Sequence, residues 1–282
     1  MLHSLTALRK FHVHASDGDI GEVTDGYFDD ERWVVRYLVV NTGSWLNGRE
    51  VLISPYSIFR VDDAESAIVT QLTRKQVEGS PSIDTAKPIS RRQEESYLSY
   101  FGYPVYWPYT TLWAWGATPV VIPPEPRLQP ATRPPTQVAG GRPASAVGEA
   151  PGTSSDTATG PAGATTSAEA GDNSHLRSGR EVTGYHIQGS DDAVGHVEDF
   201  LFDDDSWAIR YLAADTRNWL PGKHVLISPQ WIREVSWPER LVVVELKREE
   251  IEGSPQYDPK HLPSRGDEAS LHRHYHRPGY WG

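Results

Sequence analysis

WVVRYLVVNTGSWLNGREVLISP, residues 33–55, returns 174 residues later as WAIRYLAADTRNWLPGKHVLISP, residues 207–229. The same offset runs outward in both directions without a gap. Upstream it pairs His12 with His186, Gly21 with Gly195, Asp25 with Asp199, and FDD at 28–30 with FDD at 202–204. Downstream it pairs EGSP at 78–81 with EGSP at 252–255, then Asp84 with Asp258, Arg91 with Arg265, Glu94 with Glu268, and Tyr106-Trp107 with Tyr280-Trp281. An ungapped match of this length is the mark of a duplicated domain; a period this long excludes solenoid turns.

Each copy has the pattern of strands. WVVRYLVV (33–40) is rich in β-branched residues and apolar on both faces, as suits a strand inside a small barrel. IGEVTDGYFD alternates towards a hairpin at Asp29-Asp30. Asn47-Gly48 carries a type I′ hairpin signal, and its counterpart Pro221-Gly222 suits a different two-residue turn. EVLISP and AIVTQL supply two further strands. Ser54-Pro55 and Ser228-Pro229 place a capping serine before proline, so a short helical turn follows. TRKQ (73–76) and SRRQ (90–93) have the capping-box form and open helices.

Three segments result: repeat 1 over 1–109, a linker over 110–177, and repeat 2 over 178–282. The middle one, PPEPRLQPATRPPTQVAGGRPASAVGEAPGTSSDTATGPAGATTSAEAGDNS at 123–174, has almost no bulky apolar residue. Such a composition buries too little surface to offset the entropy of ordering, and reads as a disordered tether. A flexible coil of ~50 residues spans roughly 40 Å root-mean-square. Both docked and separate repeats are compatible with that reach.

The chain has no cysteine, which excludes disulfides, thiolate metal sites and a cysteine nucleophile. Net charge is −11, divided as −4, −1 and −6 over the three segments, so a nucleic-acid partner is not expected. The N-terminus lacks a basic start followed by an apolar core, and no apolar run of about 20 residues exists for a membrane span. VYWPYTTLWAWGATPVVI (105–122) comes nearest, but it is broken by prolines. These features give the expectation of a soluble, cytoplasmic chain without an integral membrane segment.

Candidate site residues are those kept in both copies. Arg36 and Arg210 lie in mid-strand, with Asp25 and Asp199 on the preceding strand. They form either an anion or proton-handling pair, or a buried ion pair that holds register. Trp45 and Trp219 flank the turn, as partner-binding anchors or as lids on one end of the barrel. His12 and His14 share a strand face, and His272, His274 and His276 alternate in the tail. Only His12 has a histidine counterpart, so no metal site is assigned. Tyr97, Tyr100, Phe101, Tyr103, Tyr106 and Trp107 form either a cover over the barrel or a quinone or pigment pocket. G-x-S-x-G, H-E-x-x-H, Walker A and dinucleotide fingerprints are missing, so no catalytic residue and no cofactor are assigned.

GEVTDGYFDDERWVVRYLVVNTGSWLNGREVLISP and its copy resemble the PRC-barrel domain, the fold of the cytoplasmic part of the photosynthetic reaction centre H subunit. The tail EGSPSIDTAKPISRRQEESYLSYFGYPVYW resembles the extension of bacterial stand-alone members. Together the two copies cover about two thirds of the chain. The resemblance implies a small β-barrel of about six strands, docking to proteins, and no catalytic residues. The membrane helix of the H subunit has no counterpart here.

The fold class expected is therefore mainly β: two small PRC-type barrels, each with a short helical C-terminal extension, joined by a disordered linker. The function expected is that of a non-catalytic adaptor or regulatory protein docking to an unidentified protein partner. The repeats either pack on one another, replacing a homodimer, or act as two tethered modules. The alternative is an accessory of reaction-centre-type electron or proton transfer, held peripherally at a membrane complex.

Overall fold

The computed structural model describes residues 1–83, 85, 89–107, 175–216 and 222–281. Most of the expected linker, and Trp219 and Pro221 with it, lie outside the described residues. The first copy runs β1 (Leu2–Ser4), α1 (Leu5–Leu8), β2 (His12–Ala15), β3 (Gly18–Asp29), β4 (Val34–Asn41), β5 (Glu50–Ile53), β6 (Ile58–Asp62), β7 (Ala67–Thr70), α2 (Arg74–Glu78) and α3 (Arg91–Phe101). The second repeats it as β8 (Leu176–Ser178), α4 (Gly179–Val182), β9 (His186–Gln188), β10 (Ala193–Asp203), β11 (Ile209–Asp215), β12 (His224–Ile227), β13 (Ile232–Ser236), β14 (Leu241–Val244), α5 (Arg248–Glu252) and α6 (Arg265–His274). Its first strand starts ahead of the boundary that composition suggests at 178.

Among the described residues the chain is mainly β, with two seven-stranded sheets. One has the order β5-β4-β3-β2-β7-β6, the other β12-β11-β10-β9-β14-β13. Within each, β2–β7 and β9–β14 are parallel and the other ladders antiparallel. Among the described residues no ladder joins β5 to β6 or β12 to β13. The chain rounds that corner through 3-10 turns at Pro55–Ser57 and Pro229–Trp231, each capped by the expected serine, Ser54 or Ser228.

The seventh strand of each sheet comes from the other copy. β8 pairs with β3 through Tyr27–Ser178, Phe28–Arg177 and Asp29–Leu176. β1 pairs with β10 through Leu2–Asp203, His3–Phe202 and Ser4–Leu201. β3 is long enough to serve two neighbours along one edge: its first half holds β2, its last three residues hold β8. A register shift between Val23 and Asp25 separates the two, and β10 has the same shift between Val197 and Asp199. A bulge of this kind bends a strand and re-aims its side chains. The halves also join at Val34–Ala208, where Val35 N donates to Trp207 O (2.8 Å) and Ile209 N to Trp33 O (2.7 Å). One apolar core runs through both, with the Phe28 and Phe200 rings 5.3 Å apart. A two-fold relation thus links the copies through a reciprocal exchange of their N-terminal strands.

Local expectations fare unevenly. The capping boxes at Thr73–Gln76 and Ser90–Gln93 are formed and open α2 and α3. Asn47 and Gly48 both have positive φ, +54° and +71°, as a type I′ turn requires. They do not make a two-residue hairpin, because Gly43–Leu46 forms a 3-10 turn ahead of them and β5 begins only at Glu50. β6, IFRVD, carries no alternation that marks it as a strand; it forms by pairing with β7. Gly21 and Gly195 sit at φ +153° and +155°, where a Cβ would lie 2.0 Å from the Asn41 and Asp215 carbonyl oxygens. Only glycine allows that approach.

Candidate functional site

The two candidate aspartates sit at the bulges and turn towards the opposite copy. Asp25 Oδ2 accepts from Ser178 Oγ at 2.5 Å, and Oδ1 accepts from Arg180 N (3.0 Å) and Gly26 N (2.8 Å). Asp199 does the same for the other exchange: Ser4 Oγ donates to Oδ2, while Thr6 N (2.9 Å) and Phe200 N (2.7 Å) donate to Oδ1. Ser4 and Ser178 are themselves the N-caps of α1 and α4, accepting from Ala7 N and Glu181 N. Each carboxylate therefore anchors the first turn of the other copy's helix. Three donors offset the cost of burying a charge that is only 5 % exposed at Asp25.

Neither aspartate pairs with the candidate arginines. Arg36 Nη2 donates to Asp29 Oδ2, and Arg210 Nη2 to Asp203 Oδ2, both at 3.0 Å. The ion pair expected from sequence exists, but its acid is the first Asp of each FDD motif. Asp29 Oδ1 also takes Glu31 N and Arg32 N, and Asp203 Oδ1 takes Asp205 N and Ser206 N, so one residue shapes the turn and holds the arginine. Burial works to raise the Asp203 carboxyl, but Arg210 and the turn amides outweigh it and leave it below its ordinary value.

On the outer face of β4, Tyr37, Glu94 and Tyr106 converge. Glu94 Oε1 accepts from Tyr106 Oη (2.5 Å) and Tyr37 Oη (3.2 Å), and Arg91 stands 3.5 Å from Oε2. Burial pushes the Glu94 carboxyl up to about 7, against the tyrosine hydroxyls and Arg91. Both tyrosines are raised in turn, by burial first and by Glu94 second. Above them Arg36 lies 4.0 Å over the Tyr106 ring and Arg91 4.3 Å over Trp107.

The second copy repeats this arrangement. Glu268 Oε2 accepts from Tyr211 (3.0 Å) and Tyr280 (2.7 Å), with Arg210 over Tyr280 and Arg265 over Trp281. It adds His272, where the first copy has Leu98; its Nε2 lies 3.1 Å from Tyr211 Oη. Burial lowers the His272 imidazole, against Pro278, Glu268 and Arg277. A cleft of about 410 Å³ lined by Met1, Asp203, Arg265, Glu268 and Tyr280 opens beside this cluster.

The tail aromatics are a cover. Tyr97 is fully buried, donates to Leu52 O (2.8 Å) and accepts from Ser54 N (3.2 Å). Tyr97, Leu98 and Tyr106 pack with Tyr27, Tyr37, Val39 and Leu52 in one cluster. Trp45 is also held by the fold: Nε1 donates to Ile20 O at 2.6 Å and Arg74 covers its ring at 4.3 Å.

The histidines His12, His14, His272, His274 and His276 do not converge, although His186 and His196 lie with their rings 4.6 Å apart. His14 pairs with Asp19 (2.6 Å), while His12 on the same strand is exposed. Alternate positions in a helix point about 200° apart, so His272 is buried while His274 reaches Glu250 O (2.7 Å). His3, two-fold equivalent to Arg177, places its ring nitrogens 3.2 and 3.1 Å from Asp63 and Asp204. Three ligand oxygens gather only at Asp203, Asp204 and Asp205 among the described residues. Two of the three are already held by other groups of the chain: Arg210 on Asp203, and the terminal amine and the His3 ring on Asp204.

The exchange clasp and the buried glutamate cages are what sequence reasoning missed. Tyr37/Tyr211, Glu94/Glu268 and Tyr106/Tyr280 all obey the 174-residue offset, which is the signal that marks the cages. No helix among the described residues is long and apolar enough to cross a membrane. No family model matches the chain, and no curated protein matches it.

Proposed function

We propose that the chain is a non-catalytic adaptor or regulatory protein of the cytoplasm, built from two PRC-type barrels and docking to a protein partner. One observation carries this: the buried polar side chains kept in both copies are engaged in holding the fold. Asp25 and Asp199 cap the exchanged helices, Asp29 and Asp203 hold Arg36 and Arg210, and Glu94 and Glu268 fasten the tails. An active site needs polar groups that converge on an opening instead of on one another. The outer surface is then what remains for function. Crosslinking in the native cells, followed by identification of the joined proteins in soluble and membrane fractions, tests it. A defined soluble protein captured at a surface residue supports the adaptor; turnover of a small molecule by the pure protein overturns it.

A second reading, an accessory of electron or proton transfer at a membrane surface, draws on the cages. Glu94 titrates near neutrality, and the cleft beside Glu268 leads to a carboxylate–tyrosine–histidine chain. Recovery of reaction-centre or quinone-enzyme subunits in the same crosslinking experiment would favour it.

A further inference from the structure

The two-fold relation breaks at its centre. Leu5 in the first copy corresponds to Gly179 in the second, and Gly26 to Phe200. All four are buried where the exchanged segments meet. A Cβ on Gly26 would stand 2.6 Å from Leu5 Cδ1, and a Cβ on Gly179 2.7 Å from Leu5 Cδ2 and 3.2 Å from Gly26 O. The one leucine therefore occupies room left by two glycines from different copies. Phe200 reaches across to the Phe28 ring at 5.3 Å. Leu5 meets one glycine of its own copy and one of the other, and the contact between copies, Leu5 with Gly179, sets large against small only when the copies are unlike.

We propose that this quartet makes the two halves selective for one another, so that the first half takes the second as its exchange partner in preference to a second copy of itself. Two first halves would bring two leucines to the place now shared by Leu5 and Gly179. Two second halves would leave two glycines facing the space that Leu5 now fills. The anchoring residues of the exchange are common to both copies: Leu2/Leu176, Ser4/Ser178 and Asp25/Asp199 are identical, while His3 and Arg177 differ. The clasp supplies affinity and the quartet supplies the choice, because specificity is a difference between pairings and rests on what the wrong one clashes with. The inference stands on packing alone and is independent of the docking function.

Two measurements on the full chain test it. In the first, unfolding midpoints are compared for Leu5→Gly/Gly26→Phe, which gives the first half the second's residues, for Gly179→Leu/Phe200→Gly, which does the converse, and for all four changes together. Both doubles are expected to fall, and the quadruple to regain most of the loss. A quadruple no more stable than the worse double overturns the proposal. In the second, a protease site is placed within residues 123–170, the purified chain is cut, and the cut protein is unfolded and refolded. Native mass spectrometry is expected to find pairs of unlike halves. Like and unlike pairs in the proportions of random assortment overturn it, as does a Leu5→Gly/Gly26→Phe chain that sorts like the parent.

Discussion

Ser178 donates its hydroxyl proton to Asp25, a residue 153 positions earlier, at 2.5 Å, while it caps α4 through Glu181 N. The same serine thus closes its own helix and fastens that helix to the other half. Asp25→Ala should lower unfolding stability by about 2–3 kcal/mol, since hydrogen bonds to a charged group are lost and the donors stay buried. Asp199→Ala should cost a similar amount. Urea unfolding of both single variants and the double checks this, and the double should fall short of the sum if both clasps close one interface.

Glu94 gives stability a pH dependence of definite sign. Its carboxyl is raised from 4.5 to about 7 in the folded chain, so the folded state holds a proton that the unfolded state releases. That contribution is fully present below about 4.5 and is lost as pH rises to about 7, a change on the order of 3 kcal/mol. In Glu94→Gln the corresponding slope should vanish, and the variant should gain on the parent as pH rises. Denaturant unfolding across this range, parent against variant, is the measurement; parallel profiles would contradict the assignment.

Arg36 and Arg210 hold equivalent acids in unequal burial: the Arg36–Asp29 side chains are 9 % and 3 % exposed, the Arg210–Asp203 pair 18 % and 15 %. Removing one partner of a buried pair strands the other. Arg36→Met should therefore destabilise by about 3 kcal/mol, and Arg210→Met by less. The order of the two midpoints decides the matter.

His272 stands where the first copy has Leu98, in the same kind of tail helix. Since its imidazole is lowered by burial, protonating it opposes folding. His272→Leu should remove an acid-side loss of stability while leaving the neutral value within about 1 kcal/mol. Loss of tail protection at neutral pH, read by limited proteolysis, would instead mean that the Tyr211 contact holds the helix.

Features that depend on neighbours in sequence were legible in advance. Ser90 and Gln93 announce a helix because both partners of the capping box lie within four residues, and Ser54-Pro55 announces a turn for the same reason. Recurrence marks Asp25, but nothing in the sequence marks its partner. The expected contact ran across adjacent strands to Arg36, whereas the bulge after Val23 turns the carboxylate towards residues 178–180. LHS and LRS are three-residue strands with no alternation to count, and their pairing is set by contacts about 200 and about 150 residues away. Glu94 was visible as one of many repeated residues. What singles it out is that Tyr37 and Tyr106, 57 and 12 positions distant, point at the same oxygen.

The exchange also orders events during synthesis. β3 emerges long before the strand that completes its edge, because Ser178 follows Asp25 by 153 residues. At roughly 5–20 residues per second the first half waits some 8–30 s for β8. Meanwhile its own N-terminal hook has no β10 to grip, since Asp199 lies 195 positions beyond Ser4. A nascent chain in that interval presents an open sheet edge beside a dangling apolar segment, the kind of surface that chaperones cover. Maturation of the first half is thereby timed by translation of the second, and a ribosome that stalls between the copies would release a half-sheet with its clasp unfilled.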